Sequence, residues 1–305
     1  MKILVTGGAG YCGVPLCEKL LADGHHVTVV DNFMFGFEPI LHLVSSPRLD
    51  VIKRDIRHED MSYLDGKDVV FHLAGISGYP ACEANPHSAK LINVSASVTI
   101  AKLLSPSQLL VFPSTTSFYG SQGDLSTEET IPKPVSLYGI TKVEGEKIFM
   151  DRPNSISLRW ATVFGVGSRM RNDLMVNDFV DKAVNERTIV LYDADSRRTF
   201  IHLNDVVRGY LFALEHQDKM SGGVFNMGSD RLNYTKREIA KKIQETCPCD
   251  VLNAELGDTD VRNFLVCFDK IKAIGFDCNN TLEQGIAELS KLYRFYTPSS
   301  AIRPI

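Results

Sequence analysis

The chain has 305 residues, enough to bury a large core as one large domain or two moderate ones. Its 33 Lys and Arg stand against 37 Asp and Glu, a formal charge of −4 that gives no support for a nucleic-acid or membrane surface as the main partner. No apolar run approaches the ~18 residues needed to cross a bilayer. The first strand candidate, 2–6, runs into the glycine cluster Thr6-Gly7-Gly8-Ala9-Gly10-Tyr11-Cys12-Gly13 and then into a helix-like stretch to 22. A strand, a glycine turn and a helix N-terminus form a pyrophosphate cradle: glycines admit the backbone close to phosphate, and free N–H groups favour negative charge. Gly8, Gly10 and Gly13 satisfy G-x-G-x-x-G, while Gly7, Gly10 and Gly13 also fit G-x-x-G-x-x-G. The second apolar run, 26–30, closes on Asp31, about 20 residues beyond the glycines, where a carboxylate holds a ribose diol and repels a 2′-phosphate. The expected cofactor is NAD. Because the turn begins at residue 7, no room is left for a secretory signal before it, and a cytoplasmic location is expected.

Further strands are expected at 49–53, 68–73, 109–114 and 156–160, with helices at 13–22, 87–104 and 137–150. This alternation predicts an α/β fold, a Rossmann-type doubly wound parallel sheet. Ligands of such sheets lie beyond the carboxyl ends of the strands. Asp31, Asp55, Ala74-Gly75 and Ser114-Thr115 all fall at such ends. After Gly165 the segments become shorter and more mixed. The expected division is an NAD-binding part at 1–165, with 199–221 returning to it, and a smaller C-terminal α/β substrate lobe at 166–198 and 222–295. The tail 296–305 is turn-rich and expected to fray. The seven cysteines are scattered, and Cys247-Pro248-Cys249 reads as two reduced thiols in a loop, so no metal is expected.

A second constellation is Tyr138-Gly139-Ile140-Thr141-Lys142. On a helix, residues four apart share a face, so an ammonium can lie beside a phenol and favour phenolate. Such a base suits removal of a proton from a sugar hydroxyl at neutral pH. Tyr63-Leu64-Asp65-Gly66-Lys67 has the same spacing, but its Asp-Gly turn signal precludes a shared helix.

Together Gly7, Gly10 and Gly13, Asp31-Asn32, Asp55-Ile56, His72-Leu73-Ala74-Gly75, Asn93, Ser114-Thr115, Tyr119-Gly120 and Tyr138-x-x-x-Lys142 resemble the extended short-chain dehydrogenase/reductases, specifically their NAD-dependent nucleotide-sugar epimerases and dehydratases. The likeness runs from residue 1 to about 295. It implies that Tyr138 is the base, that Lys142 holds the ribose and depresses the phenol, and that Thr115 holds the reacting sugar oxygen. It implies cofactor contacts from Gly7, Gly10, Tyr11, Cys12, Gly13, Asp31, Asn32, Asp55, Ile56, Leu73, Ala74, Gly75, Asn93 and Ser114, besides Tyr138 and Lys142. Substrate contacts are implied for Thr115, Thr116, Thr162, Arg171, Arg198 and Arg262, the last two on the diphosphate, since an Arg fork suits phosphate oxygens. A homodimer through the helices at 87–104 and 137–150 is implied as well.

The chain also departs from that family. Related dehydratases carry an Asp-Glu pair after the hydroxyl residue, and decarboxylating relatives carry a Glu two residues after it; here Thr116-Ser117 stand instead. Elimination and decarboxylation are therefore not expected, which leaves oxidation at a carbinol carbon. The stretch 159–179 resembles a branch containing GDP-heptose C4 dehydrogenases. A nucleotide-sugar 4-epimerase working through a 4-keto sugar is the leading expectation. A C4 dehydrogenase that releases the keto sugar is the alternative, and a non-catalytic NAD sensor is an alternative of another class.

Overall fold

The computed structural model describes residues 1–121, 125–254 and 262–297. Seven strands form one wholly parallel sheet. From one edge the order is Leu49–Lys53, His26–Asp31, Lys2–Thr6, Val69–His72, Leu109–Thr115, Ser155–Trp160 and Val224–Met227. Val69–His72 and Ser155–Trp160 are buried throughout, as strands covered by helices on both faces must be. Alternate residues feed two separate cores. Ile3, Val5 and Phe71 face the Gly13–Ala22 helix and Tyr210 of the Leu203–Glu215 helix, whose ring lies 5.6 Å from that of Phe71. Leu4, Val70 and Phe112 face Ile100 of the Ala96–Leu103 helix and Phe149 of the Leu137–Met150 helix. The strand order reverses at Lys2–Thr6, so a crevice opens between its carboxyl end and that of Val69–His72.

Three details differ from the sequence expectation. The helix at 87–104 is interrupted: Pro86–Lys90 is followed by a π turn at Leu91–Ser95 before Ala96–Leu103. Arg197–His202, of which 199–202 fall in the segment expected to rejoin the main sheet, forms the centre of a three-stranded sheet with Thr162–Phe164 and Asn233–Thr235. Conversely Val224–Met227, assigned to the lobe at 222–295, is the seventh strand of the main sheet, entered through a turn at Gly222 with φ +79°. Four residues that include Asn226 carry too little apolar pattern to announce a buried strand.

A third layer packs the Met175–Asn185, Lys236–Thr246 and Leu282–Tyr293 helices together, beside the paired strands Thr188–Leu191 and Asp250–Asn253. Tyr296, expected to fray, packs against the core with its ring 6.3 Å from that of Tyr293. The remainder of the tail, 298–305, lies outside the described residues, as do 255–261 of the lobe. Among the described residues no helix is long and apolar enough to cross a membrane.

Candidate active site

The glycine turn is shaped by contacts that only glycines permit. Gly7 has φ +69°, and a Cβ there would lie 2.7 Å from the Ala74 backbone nitrogen. A Cβ on Gly13 would strike the Gly7 carbonyl and come within 2.7 Å of Gly8 Cα. The turn is closed by the Gly10 N–H donating to the Gly7 carbonyl at 3.0 Å. No side chain caps the Gly13–Ala22 helix; the Val14 N–H donates to the Gly10 carbonyl at 3.1 Å and Pro15 has none, so the first-turn N–H left for an anion is that of Gly13. Gly13→Ala is expected to cost ~2–4 kcal/mol, since both obstructing groups are backbone. Little NAD should then co-purify, and both losses are read by thermal melting and by HPLC of nucleotide released on denaturation.

The Tyr11 side chain is used differently from the expectation. Its hydroxyl donates to the Gly165 carbonyl at 2.6 Å, and burial drives its pKa far up, so this phenol ties the turn to the segment after Thr162–Phe164 instead of reaching into the crevice. Cys12, at the helix N-cap, is likewise pushed up by burial, to about 12.

At the end of His26–Asp31, one Asp31 carboxylate oxygen accepts from the Ala9 N–H at 3.0 Å and the other from the Phe33 N–H at 2.9 Å. Burial raises the Asp31 pKa, and these backbone bonds oppose it. Each oxygen keeps a lone pair for a diol. Asn32 reaches Asp55, whose carboxylate is gripped by the Arg57 fork at 2.9 and 2.7 Å and is held down to about 2 by that bond. Ile56 beside it is buried.

Leu73 and Ala74 press directly on the turn: their N–H groups donate to the Thr6 carbonyl and to Thr6 Oγ1. Asn93, expected at the cofactor, has its amide engaged elsewhere. Its oxygen accepts from the Ile76 N–H at 2.8 Å, and its nitrogen donates to the Ile76 carbonyl and to Thr141 Oγ1. The π turn sets it there, joining the Ala74-Gly75-Ile76 loop to the helix that carries Tyr138. A Cβ on Gly75 would lie 3.0 Å from that amide oxygen.

Ser136 caps the Leu137–Met150 helix by accepting from the Gly139 N–H, which places Tyr138 in its first turn. The Tyr138 phenol meets the hydroxyls of Ser77 and Thr115. Burial raises its pKa, while Ser77, the Arg171 guanidinium and Thr115 pull it down. The cation that most favours phenolate here is thus Arg171, where the i,i+4 spacing points to Lys142. Lys142 instead lies over the Phe112 ring, 4.5 Å from its centroid, and burial lowers its pKa to about 8. Arg171 grips Asp173 with both arms, at 2.7 and 2.5 Å, and reaches the Ser77 carbonyl at 3.4 Å. It therefore belongs to the reacting end. Ser77 and Asp173 were not found from sequence; the Ser77-Gly78 step beyond Val69–His72 was the available signal. In the rejected motif, Tyr63 lies in a short 3-10 turn and Lys67 donates to Thr28 Oγ1.

Ser114 Oγ is buried with no hydrogen-bond partner among the described residues. Thr116 is buried, its hydroxyl donating to the Trp160 carbonyl, which removes it from any substrate surface. Thr162 pairs with Phe200 in the three-stranded sheet, and Arg198 lies in the same central strand. The backbone of the neighbouring Arg197 is held by Asn263 Oδ1 and the Phe264 N–H, so Arg198 and Arg262 lie on adjoining segments.

The family model for the NAD-dependent epimerase/dehydratase family matches residues 3–228. The chain belongs to this family. It is an NAD-dependent enzyme, and the uncapped turn, the Cβ-free cradle and Asp31 fit that cofactor. Relatives of this epimerase/dehydratase-family chain include a UDP-glucose epimerase of Bacillus subtilis described as uncharacterized, 32% identical over 75% of the chain and 77% of its own length. UDP-glucuronic acid decarboxylase 1 of Arabidopsis thaliana is 31% identical, and the match covers 80% of this chain but only 58% of that relative. Two solved structures are also similar. A UDP-glucuronic acid 4-epimerase of Bacillus cereus with UDP-glucuronic acid and NAD has a TM-score of 0.87 and 25% identity, covering 96% of this chain and 99% of that one. A UDP-glucose 4-epimerase of Thermotoga maritima with UDP-glucose has a TM-score of 0.84 and 26% identity, with the same coverage.

Proposed function

We propose that this enzyme is a nucleoside-diphosphate-sugar 4-epimerase. The observation that carries the reading is the Tyr138 phenol set among the Thr115 and Ser77 hydroxyls, with Thr116-Ser117, not carboxylic acids, following Thr115. NAD, when bound, is the hydride acceptor for oxidation at C4. Tyr138 takes the C4 hydroxyl proton, and Thr115 holds the developing carbonyl oxygen. Arg171 and Ser77 favour the phenolate between turnovers. Arg198 and Arg262 grip the diphosphate, and Ser114 and Thr162 border the sugar. The keto sugar turns over and is reduced on its other face, while Tyr138 returns the proton.

The UDP sugars named for the relatives are the first substrates to try. Incubation with UDP-, GDP-, dTDP- and CDP-sugars, followed at the reduced-nicotinamide absorbance band and by NMR, is expected to show C4 interconversion without lasting NADH. Accumulating NADH with a released ketone would replace this reading with a C4 dehydrogenase, and silence across the whole panel would favour an NAD sensor. The reading includes a cytoplasmic homodimer. Leu103 and Ile140, on the two helices expected to pair, are 55% and 42% exposed, and seven free thiols suit a reducing compartment.

A further inference from the structure

Arg169 is a buried guanidinium with no anion paired to it among the described residues. Its residue is 6% exposed, and its Nε has no hydrogen-bond partner among them. Its guanidinium carbon lies over the Phe35 ring, 3.9 Å from the centroid. Such a stack satisfies the flat face of the fork and leaves its N–H edge unspent. A buried charge with no counter-ion costs several kcal/mol, so a site that keeps one is built for a ligand. Burial and the like charge of Arg171 lower its pKa to about 10, opposed by Asp173, Tyr296 and Asp31.

Its surroundings locate that ligand. On one side are Asp31 and Phe35, in the turn that receives the adenosine ribose. On the other is Arg171, which lies within electrostatic reach of Tyr138 at the reacting end. The diphosphate is the part of a dinucleotide that joins these two ends, and the glycine turn faces it from the first strand. Asp31 does not serve as the counter-ion, because it accepts the Ala9 and Phe33 N–H groups and forms no ion pair with Arg169.

We propose that Arg169, stacked on Phe35, is the counter-ion of the NAD diphosphate, delivered across the crevice opposite the glycine turn. Backbone N–H groups would then hold one side of the anion and a charged fork the other. The inference does not depend on which sugar reaction the enzyme performs.

The test is isothermal titration of nucleotide-stripped protein with NAD, ADP and adenosine, and of NAD-loaded protein with UDP. Arg169→Met is expected to weaken NAD and ADP about ten- to a hundredfold, as loss of a charge-assisted bond does. Adenosine, which has no diphosphate, and UDP should bind as before. Arg169→Lys should bind NAD better than Arg169→Met does. Unchanged NAD affinity overturns the proposal. An equal loss for adenosine would make Arg169 structural, and a loss confined to UDP would assign it to the substrate diphosphate; either result overturns it too. Arg169→Gln is titrated in the same way and decides the matter if the Met variant does not fold by circular dichroism.

Discussion

Replacing Tyr138 with Phe is expected to lower kcat by ~10²- to 10⁴-fold, the usual worth of a positioned general base, while the purified protein still carries NAD. The fold should survive, because the hydroxyl bonds side chains, those of Ser77 and Thr115, and the ring is kept. The pH profile gives the second half of the prediction. The active form is the phenolate, so kcat/KM rises as pH rises through the Tyr138 pKa. Burial holds that pKa above the ordinary phenol value, which sets the limb on the alkaline side. Arg171 is the charged group that pulls it back. The pair Arg171→Met/Asp173→Asn removes that charge without stranding a carboxylate, so the limb should move to higher pH, with activity falling more at pH 7 than at pH 9. A Tyr138→Phe enzyme within tenfold of the parent would end the assignment of the base, and a profile unmoved by the double variant would end the role given to Arg171.

The largest stability effect is expected at a charge pair beneath the same helix. Glu146 lies two turns beyond Tyr138, and Arg159 lies on the adjoining Ser155–Trp160 strand. The Arg159 fork contacts Glu146 at 2.6 Å, with the two side chains 7% and 9% exposed. Its other arm donates to the Tyr119 hydroxyl and the Glu128 carbonyl, and Ser157 donates to Glu146 at 2.8 Å. Arg159→Met strands a buried carboxylate and is expected to cost ~3–5 kcal/mol, lowering Tm by roughly ten degrees. Arg159→Met/Glu146→Leu removes both charges and should recover most of that loss. Melting curves of the two singles and the double decide it. Additive losses would show that the pair is not coupled.

The glycine turn, the strands and Tyr138 were legible because each has a local cause: a phosphate-sized gap, an unbroken apolar run, a hydroxyl-rich strand end ahead of a helix. The same local rule leaves out what else meets Lys142. Four-residue spacing puts two side chains on one face but says nothing of a third element, and Phe112 takes the ammonium while Arg171, from a distant segment, approaches the phenol. Asn93 and Tyr11 were expected at the cofactor, and their side-chain polar groups join backbone segments together. Val224–Met227 was missed because a buried strand of four residues acquires its identity from its neighbour Ser155–Trp160.

The wholly parallel sheet bears on how the molecule assembles. No strand can zip onto its predecessor through a hairpin, so every pairing waits for a crossover and its loop-closure entropy, a topology that folds slowly. As the chain leaves the ribosome, the five strands up to Leu109–Thr115 can pair before the helix bearing Tyr138 has been made. The last strand then closes over Ser155–Trp160 from far along the chain, and until it arrives that apolar edge stands open to other chains. A nucleotide present during synthesis would bind the early half first, so NAD supplied to a refolding or translation reaction is a natural guard against aggregation.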